Sequence, residues 1–336
     1  MDSSKIAEPT SDNLAKAAGF LRHGDLVGVP TETVYGLAAN ATDDDAVAKI
    51  YAAKKRPPTN PLIVHAASAD DASGWCELGS SDWIRPQFDI AAGFWPGPLT
   101  VIVPRSKKIS KVATAGGDTV GIRVPDHPVA LALLRQCRFP LAAPSANPSN
   151  YISPTTAMHV AFGLGDQVRM IIDGGPCQCG IESTIIKLEP QGPILLRAGG
   201  VSVNELETAF GHPIRCLTRS ADSGTNQNEP MLSPGQFPKH YSPSKPLLIA
   251  GTDPLPPDLS RLGRLVFAPI GEDQSAKFQQ VWTLSKDGNL NEVARNLFAM
   301  LREADQSDVR AILIDACEHT GIGQAIMDRI NRAASP

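Results

Sequence analysis

The 336-residue sequence lacks the segments that direct a protein into or across a membrane. No apolar run reaches the ~20 residues that a spanning helix needs, and the opening residues MDSSKIAEPTSDNL have no apolar signal-peptide core. The cysteines are scattered rather than forming the dense framework of a small secreted domain; they are Cys76, Cys137, Cys177, Cys179, Cys216 and Cys317. We therefore expect a cytoplasmic protein with reduced thiols and no membrane partner.

The sequence also lacks an excess of positive charge. It has 31 Lys plus Arg residues against 35 Asp plus Glu residues, which gives a formal net charge of -4. A dedicated nucleic-acid binder usually carries a basic excess. Direct RNA binding is therefore not supported by the net charge.

The common motifs for nucleotides and metals are missing as well. There is no G-x-x-x-x-G-K-S/T phosphate loop, no G-x-G-x-x-G after a strand, no H-E-x-x-H and no G-x-S-x-G. Cys177 and Cys179 form a C-x-C, but no second pair stands nearby to complete a tetrahedral site, so we expect no metal site. If the chain uses ATP, it must hold the phosphates in another way.

What is present is the pattern of a two-domain α/β protein, the default expectation at this length. One helix is predicted after Ser11, with Gly24 as its stop. A second is predicted near Thr42, whose hydroxyl is the expected cap, and Pro57-Pro58 end it. The strand candidates are LVGVP, PLIVHA, TVIVPR, TVGIRVP, PLAAPSA, MIID, STIIKL and PILLRA. Because strands outnumber helices, we expect a mixed sheet with helices packed on it.

The composition changes between Gly211 and Pro246, where a polar stretch is followed by several prolines, as in a linker or lid. Regular structure resumes with the strands LLIA, RLVFAP and AILIDA. A helix there begins at a capping box of Asn289 and Glu292, and a last helix covers roughly 322–333. We therefore divide the chain into a first α/β domain (1–212), a linker (213–245) and a smaller α/β domain (246–336).

Polar side chains stand at the ends of several predicted strands, where α/β proteins tend to bind ligands. PTETVYGL follows the first strand and carries the hydroxyl of Thr33. Lys54 and Arg56 precede a rigid Pro-Pro turn, after which Asn60 leads into a strand that ends at His65. An arginine fork binds phosphate oxygens bidentately, and lysine adds a mobile charge. This part of the chain therefore fits an anion site.

A third segment places Arg123 inside an apolar strand, where an arginine needs a carboxylate or a ligand as partner. Ser145, Asn147 and Ser153 follow the strand PLAAPSA. Their side chains could donate to phosphate or ribose, although the same residue types also favour turns.

A fourth segment, DGGPCQCGIESTIIKL followed by PILLRAGG, puts Ser183 and Arg197 on successive strands beside glycines that permit close approach of the backbone. Taken singly, each of the four segments also fits an ordinary role. The first segment fits a capped turn, the second a solvated helix end with a core histidine, the third a turn, and the fourth a surface arginine. Their joint order along the chain is more specific.

In that order these segments resemble the YrdC-like threonylcarbamoyl-adenylate synthases, in the longer form with an added C-terminal domain. The resemblance runs from about Leu14 to Ala333. It rests on PTETVYGL, the K-x-R before NPLIVH, FWPGPLT, GIRVPDH, APSAN, GGPCQCGIESTII and LLRAGG, with LSKDGNLNEVARNLFAMLREAD and GIGQAIMDRINRAA in the tail. The family implies a twisted, mixed α/β sheet with a concave basic face, followed by a smaller Rossmann-like domain.

The resemblance also implies two groups of site residues. Threonine would be held by Thr33, His65, Arg123, the backbone at Ala143, and Ser183, with Arg123 on the carboxylate. ATP would be held by Lys54, Arg56, Asn60, Thr119, Ser145, Asn147, Ser153, Arg197, His240 and Tyr241. Of these, Lys54, Arg56 and Arg197 would act as catalytic residues by offsetting the phosphate charge.

The implied reaction is synthesis of L-threonylcarbamoyladenylate from L-threonine, bicarbonate and ATP, with release of pyrophosphate. It is the first step of threonylcarbamoyladenosine modification of tRNA, so a tRNA threonylcarbamoyl transferase complex would use the product. Magnesium would arrive with the nucleotide rather than in a dedicated cage.

The interdomain segment SPGQFPKHYSP departs from the family pattern at positions 236–238 and keeps Lys239, His240 and Tyr241. In the family this stretch folds over the active site as a lid. Asn150 also stands where a glycine is usual, a change that a left-handed turn residue tolerates.

Three other functions stay open at this point. One is a catalytically inactive RNA-binding protein of the same fold, which steep salt dependence of RNA affinity and no threonine-dependent turnover would favour. Another is a carbamoyltransferase, although the extra zinc or acylphosphatase-like modules of such chains are not evident here. The third is a generic ATP-binding module.

Overall fold

The chain forms one large mixed sheet and one small parallel sheet, each with helices packed on it. A computed structural model of the protein describes residues 3–79, 81–217, 233 and 240–335. In those residues the helices are α1 (Ser11–Arg22), α2 (Asp44–Lys54), α3 (Ala69–Gly74), α4 (Ile84–Ala92), α5 (Pro128–Cys137), α6 (Ala157–Leu164), α7 (Val203–Phe210), α8 (Glu272–Ser275), α9 (Leu290–Gln306) and α10 (Ile322–Ala334). Short 3-10 turns cover Ser3–Lys5 and Gly165–Gln167.

The strands of the first domain are short, and most are buried on both faces. They are β1 (Ile6–Ala7), β2 (Val27–Val29), β3 (Gly36–Asn40), β4 (Ile63–His65), β5 (Leu99–Pro104), β6 (Thr119–Arg123), β7 (Leu141–Ala142), β8 (Met170–Ile172), β9 (Thr184–Lys187), β10 (Ile194–Arg197) and β11 (Arg215–Cys216). Their order in the sheet is β1-β8-β2-β3-β7-β4-β6-β5-β9-β10-β11. The sheet contains parallel pairs such as β4 with β6 and antiparallel pairs such as β5 with β6. The predicted mixed α/β sheet is confirmed.

Every strand predicted in the first domain overlaps an observed one, and the first helix begins at Ser11, directly before the predicted start. The cap of the second helix is different. The carboxylate of Asp43 accepts hydrogen bonds from the N–H groups of Asp45 and Ala46, whereas the hydroxyl of Thr42 donates to the side chain of Asn40 at 2.8 Å. The prediction of Thr42 as the cap was therefore wrong. The Asp43 carboxylate, one residue later, accepts from the free N–H groups. Its negative charge also interacts favourably with the positive end of the helix dipole.

The tail forms a small parallel α/β domain, as predicted. Its strands are β12 (Leu247–Ile249), β13 (Leu262–Val266), β14 (Gln280–Thr283) and β15 (Ala311–Ile314), in the order β12-β15-β13-β14. Asn289 caps α9 by accepting from the N–H groups of Asn291 and Glu292. The Glu292 carboxylate accepts instead from the hydroxyl of Ser285 at 2.7 Å, so only the Asn289 half of the expected capping box is present.

The two domains share a hydrophobic core. Val34, Ile152 and Ile181 of the first domain are buried in the same cluster as Leu297 and Phe298 of α9. Burying apolar surface stabilises by roughly 25 cal/mol per Å², so this cluster holds the domains together.

Gly180 allows α9 to approach closely. Its φ is +73°, and a Cβ added there would lie 2.3 Å from the carbonyl oxygen of Arg295. No side chain fits in that space, so the glycine sets the spacing between the domains.

The predicted linker falls mostly on 218–232 and 234–239. These positions, which include 236–238 and Lys239, lie outside the described residues. The expected closure of a lid therefore stays a prediction, as do the boundaries of the three segments. Among the described residues, no helix is both long and apolar enough to cross a membrane.

Candidate functional site

Ten of the fifteen predicted site residues surround one cavity of about 560 Å³, its open mouth included. It lies where parallel strands β4 and β6 end side by side, at His65 and Arg123. The predicted residues in its wall are Thr33, Arg56, His65, Arg123, Ala143, Ser145, Ser183, Arg197, His240 and Tyr241. The remaining wall residues are Thr31, Val34, Gly36, Ile63, Pro144 and Glu182.

One end of the cavity is built around the Arg123 guanidinium. Its Nε donates to the carbonyl of Gly97 at 3.1 Å, and Nη1 donates to the hydroxyl of Thr33 at 3.0 Å. Nη2 forms an ion pair of 2.5 Å with the buried carboxylate of Glu32. A guanidinium has five N–H groups, so three contacts leave N–H groups for a ligand carboxylate.

His65 lies beside Arg123 as a neutral imidazole. Burial, followed by the charge of Arg123, lowers the pKa of His65 to about 3. An uncharged ring can donate one hydrogen bond and accept another without adding charge to this end of the cavity. Nearby, the N–H of Ala143 donates to the carbonyl of Ile63 at 3.0 Å, which fixes the backbone of the wall.

The other end is lined by buried cations. Arg56 follows the last turn of α2, and Nε and Nη2 donate to the carbonyls of Asn60 and Pro61 and to the Asn60 side chain, at 2.6–3.0 Å. Burial lowers the pKa of Arg56 to about 10, with a further contribution from Arg197. Burial likewise lowers the pKa of Arg197, whose Nε donates to the carbonyl of Ser183 at 3.1 Å. Both guanidiniums remain charged at neutral pH, and a multiply charged anion would offset them.

Ser183 connects the two ends. Its hydroxyl lies 2.8 Å from that of Thr100 and accepts from Nη2 of Arg197 at 3.2 Å. The position follows from the chain, because Ser183 directly precedes the buried strand β9.

The carboxylate of Glu182 stands in the wall among these cations. It accepts from the hydroxyl of Ser153 at 2.5 Å and from Nε of Arg329 on α10 at 2.9 Å. Burial would raise the pKa of Glu182, but the charges of Arg329 and Arg197 outweigh it and hold the pKa below its usual value. The tail domain therefore reaches the cavity through Arg329.

His240 and Tyr241 enter the wall from the segment before the tail. Burial, with the charges of Arg56 and Lys54, lowers the pKa of His240 well below its usual value, so the ring is neutral. Tyr241 has a φ of +64° and packs between the rings of His240 and Phe298, at centroid distances of 4.0 and 5.3 Å. The pair is fixed between the cavity and the tail core.

The other five predicted residues lie behind or beside the wall. Lys54 is fully buried, and its ammonium donates to the carbonyls of Ser145 and Asn147. Burial, followed by the charge of Arg56, lowers its pKa well below the usual value. Lys54 thus ties the loop after β7 to α2, and its catalytic assignment stays a prediction.

The remaining four of these support their neighbours. Asn60 accepts from Arg56, and Ser153 donates to Glu182. The side chain of Asn147 donates to the carbonyls of Pro148 and Tyr151, both at 2.8 Å. Thr119 begins β6 opposite Pro104. Their roles toward ATP also stay predictions.

Two carboxylates at the site were missed. Glu32 precedes Thr33, and Glu182 precedes Ser183. Glu32 could have been predicted from Arg123. A buried arginine needs a carboxylate as its partner, and Glu32 stands in the segment PTETVYGL.

The described residues contain no group of three or more His, Cys, Asp or Glu side chains that could hold a metal ion. The Glu182 carboxylate is occupied by Ser153 and Arg329. A dedicated metal cage does not fit these residues, so we derive no step from a resident metal.

Comparison with family models gives two matches. Residues 19–199 match the Sua5_yciO_yrdC model, described as "Telomere recombination". Residues 201–335 match the model "Threonylcarbamoyl-AMP synthase, C-terminal domain".

Individual proteins match over nearly the whole chain. Threonylcarbamoyl-AMP synthase of Bacillus subtilis is 40% identical over 333 residues, which cover 96% of this chain and 92% of that protein. The crystal structure of Pyrococcus abyssi Sua5 complexed with L-threonine superposes with a TM-score of 0.84 at 36% identity, covering 98% of this chain and 97% of that one. The Escherichia coli YciO structure, at 22% identity and a TM-score of 0.52, shares the fold over 61% of this chain.

Proposed function

The chain belongs to the family of YrdC-like threonylcarbamoyl-AMP synthases in its long form, and from this premise we propose that it makes L-threonylcarbamoyladenylate from L-threonine, bicarbonate and ATP. Pyrophosphate is the second product. The family membership confirms the resemblance drawn from the sequence motifs.

One observation carries the proposal. A single cavity has a buried arginine with free N–H groups and hydroxyls at one end, and two buried, charged guanidiniums at the other. The first end suits the carboxylate of an amino acid. The second suits the phosphates of a nucleotide, because guanidiniums bind phosphate oxygens bidentately. An amino acid and a triphosphate would lie side by side.

In the proposed reaction the threonine amine attacks the carbon of carbon dioxide or bicarbonate, which forms the N–C bond of a carbamate. The amine loses a proton, and when bicarbonate reacts this proton leaves with its hydroxyl group as water. A carbamate oxygen then attacks the α-phosphorus of ATP, and the bond from that phosphorus to the bridging oxygen breaks as pyrophosphate leaves. No covalent enzyme nucleophile is needed. The protein contributes positioning and electrostatic stabilisation.

The residues divide this work. Arg123, Thr33, His65, Ser183 and the backbone at Ala143 would hold threonine. Arg56 and Arg197 would offset the charge that develops on the phosphates, and Lys54 would keep the loop with Ser145 in place. Magnesium would come with ATP as part of the substrate.

We place this reaction in the cytoplasm, and all six cysteines are free, as suits a reducing compartment. The product would pass to a tRNA threonylcarbamoyl transferase complex as the first step of tRNA modification.

The direct test mixes the purified protein with ATP, magnesium, bicarbonate and threonine, and follows pyrophosphate while each component is omitted in turn. We expect release to require all of ATP, bicarbonate and threonine. Serine should be a poorer substrate by only about fivefold, since one buried methyl is worth ~1 kcal/mol. Pyrophosphate release that continues without threonine would reject the proposal.

Arg56→Ala tests the site itself. We expect kcat/KM for pyrophosphate release to fall at least about a hundredfold, because a charge that stabilises the transition state is lost, while the free energy of unfolding falls by only about 1–2 kcal/mol. Arg85→Ala is the control, since Arg85 pairs with Asp89 on the exposed face of α4. If Arg56→Ala lowered kcat/KM only to the extent that it unfolded the protein, the assignment of Arg56 to the phosphates would be contradicted.

A further inference from the structure

The tail domain inserts two buried arginines into the wall of the first domain. Arg302 on α9 and Arg329 on α10 are 1% and 0% exposed. Arg302 donates through Nε to the carbonyl of Ser153 at 3.3 Å, and through Nη2 to the carbonyl of Ile152. Arg329 instead bonds a carboxylate, that of Glu182. The two arginines thus hold adjacent parts of the wall in different ways.

Arg329 contacts two residues of the cavity wall: its guanidinium lies 5.5 Å from the ring centroid of Tyr241 and pairs with the carboxylate of Glu182. Arg329 donates through Nε to Oε2 of Glu182 at 2.9 Å and through Nη2 to its carbonyl at 3.4 Å. The other carboxylate oxygen, Oε1, accepts from the hydroxyl of Ser153 at 2.5 Å. The next residue, Ser183, accepts from Arg197. Arg329, Glu182, Ser153, Ser183 and Arg197 therefore form one connected network, which we call the Glu182 network.

The charges in this network explain why the connection matters. Glu182 is a negative charge in a wall that presents Arg56 and Arg197 to a nucleotide. Within the described part of the chain, its ion pair is with Arg329 and not with either of these cavity arginines. Asp328 accepts from Nη1 of Arg329 at 2.7 Å and holds that guanidinium in turn. A Glu182 carboxylate without Arg329 would be attracted to the guanidiniums that the phosphates need.

We propose that Arg329 is a positioning residue for the nucleotide half of the site, which it keeps competent by holding the Glu182 carboxylate away from Arg56 and Arg197. This inference rests on the proposed function of the cavity. It gives the tail domain a specific task, namely to neutralise one acidic group in the catalytic wall and to orient Ser153 through it.

A purely adhesive role for Arg329 makes a different prediction. Loss of adhesion would loosen the whole interface, including Val34 beside the threonine end, and would impair both substrates together. Loss of positioning would weaken the binding of ATP alone. Replacing the freed Glu182 carboxylate as well would restore that binding.

The experiment compares Arg329→Met, Glu182→Gln and the double variant Glu182→Gln/Arg329→Met in the full chain. We expect Arg329→Met to raise the KM for ATP about tenfold, the usual scale for coupled neighbours, with the KM for threonine changed less than about twofold. The double variant should recover most of the ATP affinity. Arg329→Lys should lie between wild type and Arg329→Met, since it keeps the charge but not the fork.

Two control variants separate positioning from general damage. Arg302→Met removes an equally buried interface arginine, which donates to backbone carbonyls of the first domain and lies over the Tyr151 ring at 4.9 Å rather than pairing with Glu182. Its loss should not be repaired by Glu182→Gln. Arg264→Met removes an arginine that pairs with Asp315 inside the tail, and it should leave both KM values unchanged.

The proposal is overturned if Arg329→Met raises both KM values alike, or if the double variant is worse than Arg329→Met. Should Arg329→Met fail to fold, Arg329→Lys with and without Glu182→Gln provides the same comparison. Wild-type protein that releases no threonine-dependent pyrophosphate would count against the proposed function instead. Calorimetric binding of ATP to the same variants would then still show whether Glu182→Gln restores the affinity that Arg329→Met loses.

Discussion

At the scale of single residues, the threonine end of the cavity rests on two opposite charges that are buried as a pair. Arg123 and Glu32 are 3% exposed each and lie 2.5 Å apart. Removing one partner of such a pair leaves an uncompensated buried charge, which costs more than removing both. Stability measurements on this pair therefore test whether Glu32 compensates Arg123.

We predict that Glu32→Gln lowers the free energy of unfolding by about 3–5 kcal/mol, as measured by chemical denaturation. Glu32→Gln/Arg123→Met should lose clearly less than the sum of the two single variants. Strict additivity would mean that the two side chains do not interact, contrary to their geometry.

The histidine beside this pair predicts a dependence of stability on pH. His65 has a folded-state pKa of about 3, below the ordinary value of ~6.5. Between these values the unfolded chain binds a proton that the folded chain does not, so stability falls as the pH falls. The slope from His65 is about 1.4 kcal/mol per pH unit.

Denaturant titrations at pH 7, 6 and 5 should therefore show a shallower loss of stability in His65→Gln than in wild type. The pKa of His159 is also lowered, to about 4. Its contribution to the slope of stability against pH is the same in wild type and in His65→Gln. Identical slopes in the two proteins would show that folding does not lower the pKa of His65.

Residue chemistry explains which site residues the sequence could reveal. The sequence predicts Arg123 as a site residue because a charged residue in an apolar strand requires a partner, and Arg197 because it ends a strand beside glycines that permit close approach of the backbone. Lys54 looked like a phosphate ligand, yet its ammonium bonds the carbonyls of Ser145 and Asn147. Whether a long side chain turns toward a cavity or toward nearby backbone depends on distant loops, which local sequence does not specify.

At the scale of secondary-structure elements, the spacing between the domains depends on one glycine beside α9. Gly180 and Gly116 have similar φ angles, +73° and +82°, but only the added Cβ at Gly180 would meet neighbouring atoms, at 2.3 Å from the Arg295 carbonyl. A substitution at Gly116 therefore measures the cost of a left-handed backbone alone, whereas one at Gly180 adds the cost of the steric clash.

Both Gly180→Ala and Gly116→Ala should lower the free energy of unfolding by about 1–2 kcal/mol, because alanine is strained in the left-handed backbone. Gly180→Ala should lose at least about 2 kcal/mol more, because α9 must move away. Thermal or chemical unfolding of the two variants measures the difference. Equal losses would show that the domains tolerate a side chain between them.

Elements with strong apolar or capping signals were predicted well, and weaker ones were not. The strand β3, with the sequence GLAAN, was missed because alanine and glycine have low strand propensity. It is a strand because β2 and β7 pair with it on either side. Such tertiary pairing is set by the whole sheet rather than by the five residues themselves.

At the scale of the whole molecule, the domains depend on each other for burial. Val34, Ile152 and Ile181 are covered by the tail, and each fully buried aliphatic side chain contributes roughly 1.5–3 kcal/mol. A fragment of residues 1–212 would expose all three of them.

We predict that this fragment unfolds at a clearly lower denaturant concentration than the first domain does within the full chain. Fluorescence of a dye that binds exposed apolar surface should rise on truncation. The full chain with Arg264→Met is the comparison, because Arg264 pairs with Asp315 inside the tail. A fragment as stable as the full chain would mean that the shared core contributes little.

The turn from Glu32 to Val34 has a consequence for how this chain can change over evolutionary time. Its three successive residues have different tasks. Glu32 pairs with the buried Arg123, Thr33 lines the cavity, and Val34 packs in the core shared with the tail. Inserting or deleting one residue here would misdirect all three at once. Lineages that retain the tail should therefore tolerate amino-acid replacement in this turn far more readily than any change in its length.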